Sequence, residues 1–312
     1  MQAAPLVIGG VLESPTAPNG LELESTFLKG VFRTRGDDQH IVQVVRRLSV
    51  TESFPPRLLL QSNIGVGGMR RHRIEPIAAR SRDVESTVGN SGVRFEADAA
   101  DGAQSLQVTL DADGLRWWEG EIFDVSGAEV LPALQWSIVP GDAEPSSAMR
   151  CATRVFAVSG SFEGVDVDGF VAIEEVCVAP DRHDHVDDPI PAGNITDVWC
   201  GWANAYDDGT LEAGQVAFGA NGLGFALLAS GGEATVAGRV SGSITTDDEG
   251  RPTHIWFDVD GEPWEFVADD RGLALEPLPG PLRQAEGSFR RVGEQRRPVV
   301  WWATLEVPVD PA

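Results

Sequence analysis

Two adjacent carboxylates, Glu174 and Glu175, interrupt an otherwise apolar, strand-like segment, GFVAIEEVCV at residues 169–178. Successive side chains of a strand point to opposite faces, so one glutamate of the pair must share a face with apolar neighbours. Apolar surroundings raise the pKa of a carboxyl group, which then holds its proton near neutral pH. Such an acid can protonate an alkene, an epoxide or a tertiary alcohol, so the pair predicts general acid catalysis.

The alternation assigns each glutamate to its own face of the strand. Glu174 is expected on the face that begins with Phe170, and Glu175 on the face of the odd-numbered residues. The structural alternative is that one glutamate faces solvent at a sheet edge while the other pairs with a buried arginine, Arg150 or Arg154. A single β-bulge would exchange the two faces, so the sequence leaves open which glutamate is enclosed.

Aromatic residues supply a second set of candidates, because the chain contains nine Trp and one Tyr. An indole face can line an apolar pocket and stabilise a developing positive charge by cation–π attraction. Ordinary core packing accounts for most tryptophans, so only a few are expected at a site. The predicted substrate-binding residues are Trp118, Trp199, Trp202, Phe170 and His254.

The histidines and cysteines of the chain do not predict a metal site or a reactive thiol. His183 and His185 in RHDHVDD would share a face in a strand and bind a metal. The segment is predicted to be a loop over a barrel mouth or near the domain interface, with no third ligand implied, so no metal site is predicted. Cys151, Cys177 and Cys200 lack CxxC spacing and are expected to be free and buried in a reducing compartment. No dinucleotide, phosphate-loop or serine-hydrolase motif occurs, and no cofactor is expected.

Charge and length narrow the class of partner. The chain has 312 residues and a formal net charge of −24 at pH 7. Such a surface repels phosphate groups, which argues against nucleic-acid and membrane-surface partners. With no secretory signal pattern and no run of about 18 apolar residues, a cytoplasmic protein is expected. The oligomeric state, a homo-oligomer included, is left open.

The elements that must position these residues are strands. Apolar patterns of period two recur along the chain and are separated by Asp-Gly or Asn-Gly pairs, which favour hairpin turns. These pairs occur at 113–114, 168–169, 221–222 and 260–261. We predict an all-β protein of about 16–20 short, mostly antiparallel strands. So many strands exceed one closed sheet, and two domains are predicted, 1–145 and 146–312, divided within the acidic, proline-containing segment 140–150.

The second half of the sequence resembles a known family. VSGSFEGVDVDGF, VWCGWANAYDDGT and GANGLGFALL, all within residues 154–229, resemble the paired-lipocalin superfamily, and ESTFLKGVF adds support near the N-terminus. This superfamily includes the carotenoid 1,2-hydratase-like proteins and the lipocalin-type Diels–Alderases. Trp202, Ala203, Tyr206 and Asp208-Gly209 lie close to a family strand of the form Trp-x-x-Ala-x-aromatic-x-Asp-Gly. The resemblance implies two packed lipocalin-like β-barrels and an apolar ligand bound in or between them.

The sequence departs from the family at a position that matters for chemistry. After Asp168-Gly169-Phe170, relatives run into Arg-Asp-His-Ser-Trp-Gly, whereas this chain has VAIEEV. Glu174 or Glu175 would replace the family's acid, or the chemistry has changed or been lost. The activities that the resemblance implies are hydration, cyclisation and related rearrangements of hydrophobic metabolites without an organic cofactor.

These observations predict an enzyme that acts without a cofactor on a small hydrophobic, terpenoid-like substrate by hydration, dehydration, isomerisation or cyclisation. Glu174 or Glu175 would exchange the proton, Asp168 or Tyr206 would orient that glutamate or the substrate, and tryptophans would exclude water. Two alternatives stay open. A non-catalytic carrier of hydrophobic ligands would tolerate glutamine at either glutamate. A carbohydrate-active or carbohydrate-binding protein would need two carboxyls across a polar cleft, which adjacent strand residues do not supply.

Overall fold

A computed structural model of the chain describes residues 6–11, 20–36, 39–49, 57–73, 84–89, 92–99, 104–139, 149–179, 197–219, 222–276 and 282–308. These residues form 22 strands, somewhat more than predicted, and no α-helix within those ranges. The predicted all-β class is therefore confirmed. Among the described residues, no helix is long and apolar enough to cross a membrane.

The first sheet contains 13 strands and curls into a barrel. Along the sheet the strands pair in the order β5-β4-β3-β2-β13-β12-β10-β9-β8-β7-β6, while β11 joins β12 to β1. Neighbouring strands are antiparallel throughout. Their bounds are β1 (Leu6–Val11), β2 (Glu22–Thr34), β3 (Ile41–Ser49), β4 (Arg57–Ser62), β5 (Arg70–Arg71), β6 (Glu85–Gly89), β7 (Gly92–Ala97), β8 (Leu106–Asp111), β9 (Gly114–Glu119), β10 (Phe123–Glu129), β11 (Leu134–Val139), β12 (Met149–Phe162) and β13 (Val165–Val178).

The second sheet contains nine strands and forms the second barrel. Its antiparallel order is β17-β16-β15-β14-β22-β21-β20-β19-β18, so that β14 and β22 lie side by side in its middle. The bounds are β14 (Val198–Tyr206), β15 (Leu211–Phe218), β16 (Gly224–Ser230), β17 (Glu233–Ala237), β18 (Val240–Thr246), β19 (Pro252–Val259), β20 (Glu262–Leu273), β21 (Leu282–Arg291) and β22 (Pro298–Pro308).

The chain passes from the first sheet to the second between Val178 and Val198, downstream of the boundary predicted at residues 145 and 146. The long hairpin of β12 and β13 belongs to the first sheet, because β13 pairs with β2 along most of its length. Most of the segment expected to divide the domains lies outside the described residues. A polar, proline-containing segment predicts a loop, but it does not reveal whether the strands on its two sides share a sheet.

Hairpins form at two of the four predicted turn sites, 113–114 and 260–261. At the third, β15 and β16 pair on the two sides of 221–222, and residue 221 itself lies outside the described residues. The fourth prediction is wrong, because Asp168-Gly169 lies inside β13 and the turn falls at Glu163-Gly164, where both φ angles are positive (47° and 77°). Gly169 instead allows β13 and β2 to approach each other closely. A Cβ at this position would lie 2.1 Å from the carbonyl oxygen of Val31 on β2.

The buried residues form three clusters. A strand such as β13 is apolar on both faces because its alternating side chains belong to two of them. One cluster fills the first barrel, around Phe32, Trp117 and Phe156, and another fills the second, around Trp264 and Phe289. The third, the inter-barrel cluster, lies where the outer faces of the two barrels pack together. It includes Val31, Trp136, Cys151, Phe170, Ala172 and Val176 from the first sheet and Ala203, Ala213, Ala217, Phe225 and Trp302 from the second.

Candidate active site

The two glutamates of β13 face opposite sides, as the alternation predicts. Glu174 is buried on the face of Phe170 and Ala172, which belong to the inter-barrel cluster. Glu175 is half-buried on the face of Val171, which belongs to the core of the first barrel. Glu174 is therefore the glutamate enclosed between the barrels. The two carboxyls do not meet across one cleft, so the pair is not a glycosidase pair.

The partner of Glu174 is Lys29, the only lysine of the chain. The Lys29 Nζ atom lies 2.8 Å from Glu174 Oε2. Adjacent strands bring them together, since Lys29 on β2 pairs with Ala172 and is a diagonal neighbour of Glu174. Burial alone would lower the pKa of Lys29, but the carboxylates of Glu174 and Glu306 outweigh burial and raise it. Lys29 is therefore a cation between the barrels.

This ion pair bears on which way Glu174 would move a proton. The sequence predicts a desolvated carboxyl that keeps its proton and acts as donor or acceptor, with an arginine partner as the alternative. An ammonium partner favours the ionised form of a carboxyl group, and only that form can accept a proton. The arginines considered as partners lie near Glu175 instead: burial raises the pKa of Glu175, and the charges of Arg150 and Arg154 oppose that rise.

Hydrogen bonds connect Glu174 to both barrels. From the second sheet, Gln215 Nε2 donates to Glu174 Oε1 at 3.3 Å and to Thr153 Oγ1 at 2.7 Å. The side-chain oxygen of Gln215, Oε1, accepts a hydrogen bond from Trp136 Nε1 at 2.8 Å. The Cys151 thiol lies 3.9 Å from the Thr153 hydroxyl, and burial, followed by the Glu174 charge, raises the pKa of this thiol. Glu174 is thus held in place by side chains of both sheets.

A second buried carboxyl, Glu286 on β21, lies on the same face and was not predicted. Its carboxyl accepts hydrogen bonds from Gln43 Nε2 at 2.7 Å and from Thr304 Oγ1 at 2.8 Å. Burial raises the pKa of Glu286 well above its usual value. The sequence gives no signal for this site, because Gln284, Glu286 and Ser288 alternate with apolar residues and resemble a solvent-facing stripe.

Glu306 on β22 connects the two carboxyl positions electrostatically. Trp302 belongs to the inter-barrel cluster and Leu305 to the second barrel's core, so the alternation places Glu306 on the inter-barrel face. Burial lowers the pKa of Lys29, and the Glu306 carboxylate acts against it and raises this pKa. Burial raises the pKa of Glu286, and the Glu306 carboxylate adds to that rise. We call the four ionisable residues Lys29, Glu174, Glu306 and Glu286 the inter-barrel row.

Aromatic rings cover part of this face. Trp136 lies 5.4 Å from Trp199 and 5.4 Å from Phe225, measured between ring centroids. Phe170 belongs to the same inter-barrel cluster, and Trp199 packs against it. Of the predicted substrate-binding residues, Trp199 and Phe170 therefore lie on the face that holds Glu174. Trp136 joins them through its hydrogen bond to Gln215, which only the fold reveals.

The other predicted binding residues point elsewhere. Trp202 lies on the opposite face of β14 and packs against Trp264 in the second barrel. Trp118 points outward from β9, because its neighbour Trp117 takes the core position. His254 is partly exposed and lies 3.3 Å from a carboxyl oxygen of Glu265. Adjacent strand residues cannot share a face, and the sequence did not show which face each barrel would enclose.

Asp168 and Tyr206 are not placed to orient Glu174. Asp168 lies on the same face of β13 but six residues away, about 20 Å along the strand, and both its oxygens bind Arg35. Tyr206 faces the interior of the second barrel, where its hydroxyl donates to Glu212 Oε2 at 3.2 Å. Burial, followed by the Glu212 charge, raises the pKa of Tyr206 to about 12.

The remaining sequence candidates concern thiols and metals. The three cysteines are free and buried, as predicted. His183 and His185 lie outside the described residues. Across the described strands and turns, no three His, Cys, Asp or Glu side chains come together as metal ligands.

Comparison with known proteins identifies the fold. No protein-family model and no curated protein sequence matches the chain. The crystal structure of an AttH candidate from Nitrosomonas europaea is similar over 96% of this chain and 97% of that one, with a TM-score of 0.53 and 16% identity. Kievitone hydratase from Nectria haematococca (TM-score 0.47, 11% identity, 96% and 93% covered) and CghA (0.45, 11%, 98% and 99%) are also similar.

The match to the Nitrosomonas protein covers nearly the whole chain and so includes both barrels. The fold is therefore a pair of packed lipocalin-like β-barrels, as the sequence resemblance predicts.

Proposed function

We propose that the chain is a cofactor-independent enzyme that performs acid–base chemistry on a small hydrophobic molecule bound between its two barrels. The observation that carries this proposal is the buried ion pair of Lys29 and Glu174 within the inter-barrel cluster. Desolvation makes such a pair no better for stability than well-packed apolar side chains. Packing alone gives no reason to place these charges here, whereas proton transfer does.

The proposed roles follow from the contacts. Glu174 accepts a proton from the substrate, and the Lys29 ammonium balances the carboxylate and donates hydrogen bonds. The indole rings of Trp136 and Trp199 exclude water and stabilise a developing positive charge. Hydration, dehydration, isomerisation and cyclisation all move protons without transferring electrons, so this set of groups is sufficient. The aromatic and aliphatic surroundings favour a terpenoid-like or polyketide-like molecule over a sugar.

Turnover of a substrate panel tests the proposal. The purified protein is incubated with terpenoid and polyketide alcohols, epoxides and polyenes, and products are identified by mass spectrometry. Glu174→Gln is expected to reduce kcat by about 100-fold or more, the range for loss of a general base. Glu175→Gln is the matched control, since it alters the adjacent residue on the opposite face and should retain wild-type turnover.

Binding of an apolar fluorescent probe separates an enzyme from a carrier. On our proposal, Glu174→Gln keeps the probe's Kd while losing turnover, and circular dichroism confirms that the variant is folded. A wild-type protein that binds the probe and converts no member of the panel would be a carrier, and the enzymatic proposal would then be wrong.

A further inference from the structure

Glu286 differs in the charge of its partners from three other buried glutamates, Glu119, Glu174 and Glu212. Nitrogen–oxygen distances of 2.6–2.8 Å join Glu119 to Arg46, Glu174 to Lys29 and Glu212 to Arg296. Glu286 is 2% exposed, and it has no ion-pair partner among the residues that the structure describes. An ionised carboxyl is expensive to bury without a cation, so the neutral form is the one that this environment favours.

Arg33, whose charge opposes the rise in the pKa of Glu286, is already bound to other groups. Arg33 Nη2 lies 2.6 Å from Asp269 Oδ2, and its Nε donates to the Trp301 carbonyl at 3.0 Å. The same guanidinium stacks 3.8 Å from the centroid of the Trp301 ring. Burial is the largest cause of the raised pKa of Glu286; Thr304 and Arg33 oppose it, and the Asp269 and Glu306 carboxylates add to it.

The hydrogen-bond partners of Glu286 leave an unfilled acceptor beside it. Gln43 and Thr304 are both neutral, and Thr304 Oγ1 also accepts from Trp302 Nε1 at 2.7 Å. The second amide atom of Gln43, Oε1, is buried and has no hydrogen-bond partner. Gln43 is opposite Val31 of the inter-barrel cluster, so its side chain lies on the face between the barrels. A hydroxyl group of a bound molecule would satisfy it.

We infer that Glu286 carries a proton in the folded protein and donates it to the hydroxyl group of a hydrophobic alcohol, making it the general acid for loss of water. The inference rests on the proposed function and names its substrate class. The hydroxyl group of the alcohol donates a hydrogen bond to Gln43 Oε1, and its oxygen receives the proton of Glu286.

The step balances without a cofactor. The O–H bond of Glu286 breaks as the substrate oxygen gains the proton, and the C–O bond breaks with its electron pair leaving on water. The carbon next to the cationic centre loses its proton to the Glu174 carboxylate, and the C–H electrons form the double bond. The products are an alkene and water. Glu174 has gained the proton that Glu286 lost, and exchange with solvent restores both groups; the reverse sequence is hydration.

Infrared difference spectroscopy tests the protonation directly. The spectrum of the wild-type protein at neutral pH minus that of Glu286→Gln should contain the carbonyl stretch of a protonated carboxylic acid. The glutamine variant keeps an acceptor for Gln43 and Thr304, so the fold is expected to persist. A difference spectrum with carboxylate bands and no carboxylic-acid band would overturn the inference.

Turnover of tertiary and allylic alcohols tests the donor role. Glu286→Gln is expected to lower kcat for loss of water by about 100-fold or more, while Glu175→Gln again serves as the unaffected control. Gln43→Leu, a second variant, is expected to raise KM for the alcohol more than it lowers kcat. Undiminished turnover in Glu286→Gln would overturn the donor role and leave the proposed function standing. A wild-type protein that converts no member of the full panel would overturn both.

Discussion

Replacing Lys29 with methionine removes one charge of the inter-barrel ion pair and leaves Glu174 buried. The two side chains are 18% and 7% exposed, and their charged atoms are 2.8 Å apart. Removing one member of a buried pair typically destabilises a protein by about 3–5 kcal/mol, because the other charge loses its compensation. Gln215 continues to donate a hydrogen bond to Glu174 after the change. We therefore expect the lower end, about 3 kcal/mol, for Lys29→Met.

Urea unfolding followed by tryptophan fluorescence measures this cost in a double-mutant cycle. The cycle comprises the wild type, Lys29→Met, Glu174→Gln and the double variant. Side chains in contact have interaction energies of about 0.5–3 kcal/mol, and a buried ion pair should lie in the upper half of that range. The double variant should therefore lose clearly less stability than the two single losses added together.

The ion pair of Arg35 and Asp168 provides the matched control. Its shortest nitrogen–oxygen distance is 2.6 Å, but its side chains are 51% and 35% exposed, so solvent screens the attraction. Asp168→Asn should leave the free energy of unfolding nearly unchanged. If Lys29→Met costs no more than Asp168→Asn, or if the cycle is additive, the charges of Lys29 and Glu174 are solvated and our account of the inter-barrel face fails.

Two further predictions concern stability. Burial raises the pKa of Glu286 in the folded state above its ordinary value of 4.5. Between these two pKa values the folded protein binds more protons than the unfolded chain, so its free energy of unfolding falls as the pH rises from 4.5. In urea titrations at several pH values, the free energy of unfolding of Glu286→Gln should equal that of the wild type below pH 4.5 and exceed it at neutral pH, by at most about 1.4 kcal/mol per pH unit. A difference in stability between variant and wild type that stays the same at every pH would contradict this. Gly169→Ala should cost about 1–3 kcal/mol, because its Cβ would meet the Val31 carbonyl, whereas Gly67→Ala, with open space around it, should leave Tm unchanged; equal Tm values for both variants would refute the steric argument.

Alternation along β13 was sufficient to predict how its side chains divide between two faces. It placed Glu174 with Phe170 and Ala172, which the inter-barrel cluster confirms. It did not predict Lys29, because that residue arrives from β2, far away in sequence, and strand pairing of this kind leaves no local signal. The presence of one lysine in the whole chain was visible in the sequence, yet composition alone does not say where it lies.

Long-range pairing also decides where the aromatic and turn candidates lie. Trp118 and Trp202 lie in strands, but the face that each strand encloses depends on barrel closure, which a single strand does not encode. The glycine of Asp168-Gly169 predicts a turn from local chemistry, although a missing Cβ also permits close strand approach. Sequence patterns therefore predicted the class of fold and the two faces of β13, while register and sheet pairing decided which residues meet.

The inter-barrel row owes its character to the packing of one barrel on another. In a single barrel, the outer faces of β13 and β21 would be in water, and Glu174 and Glu286 would be ordinary surface residues. When the barrels pack, each carboxyl keeps a partner from its own sheet, Lys29 for Glu174 and Thr304 for Glu286. Each also receives an amide hydrogen bond from the opposite sheet, from Gln215 or Gln43.

This reciprocal arrangement means that neither carboxyl has its observed surroundings until both barrels are in place. Separation of the barrels would hydrate Glu174 and Glu286 together and would remove the desolvation that raises the pKa of Glu286. The proposed proton acceptor and the proposed proton donor thus owe their surroundings to the same packing event. A chain that bound its ligand inside either barrel would have no need for this coupling, and for that reason the proposed chemistry lies on the face between the barrels.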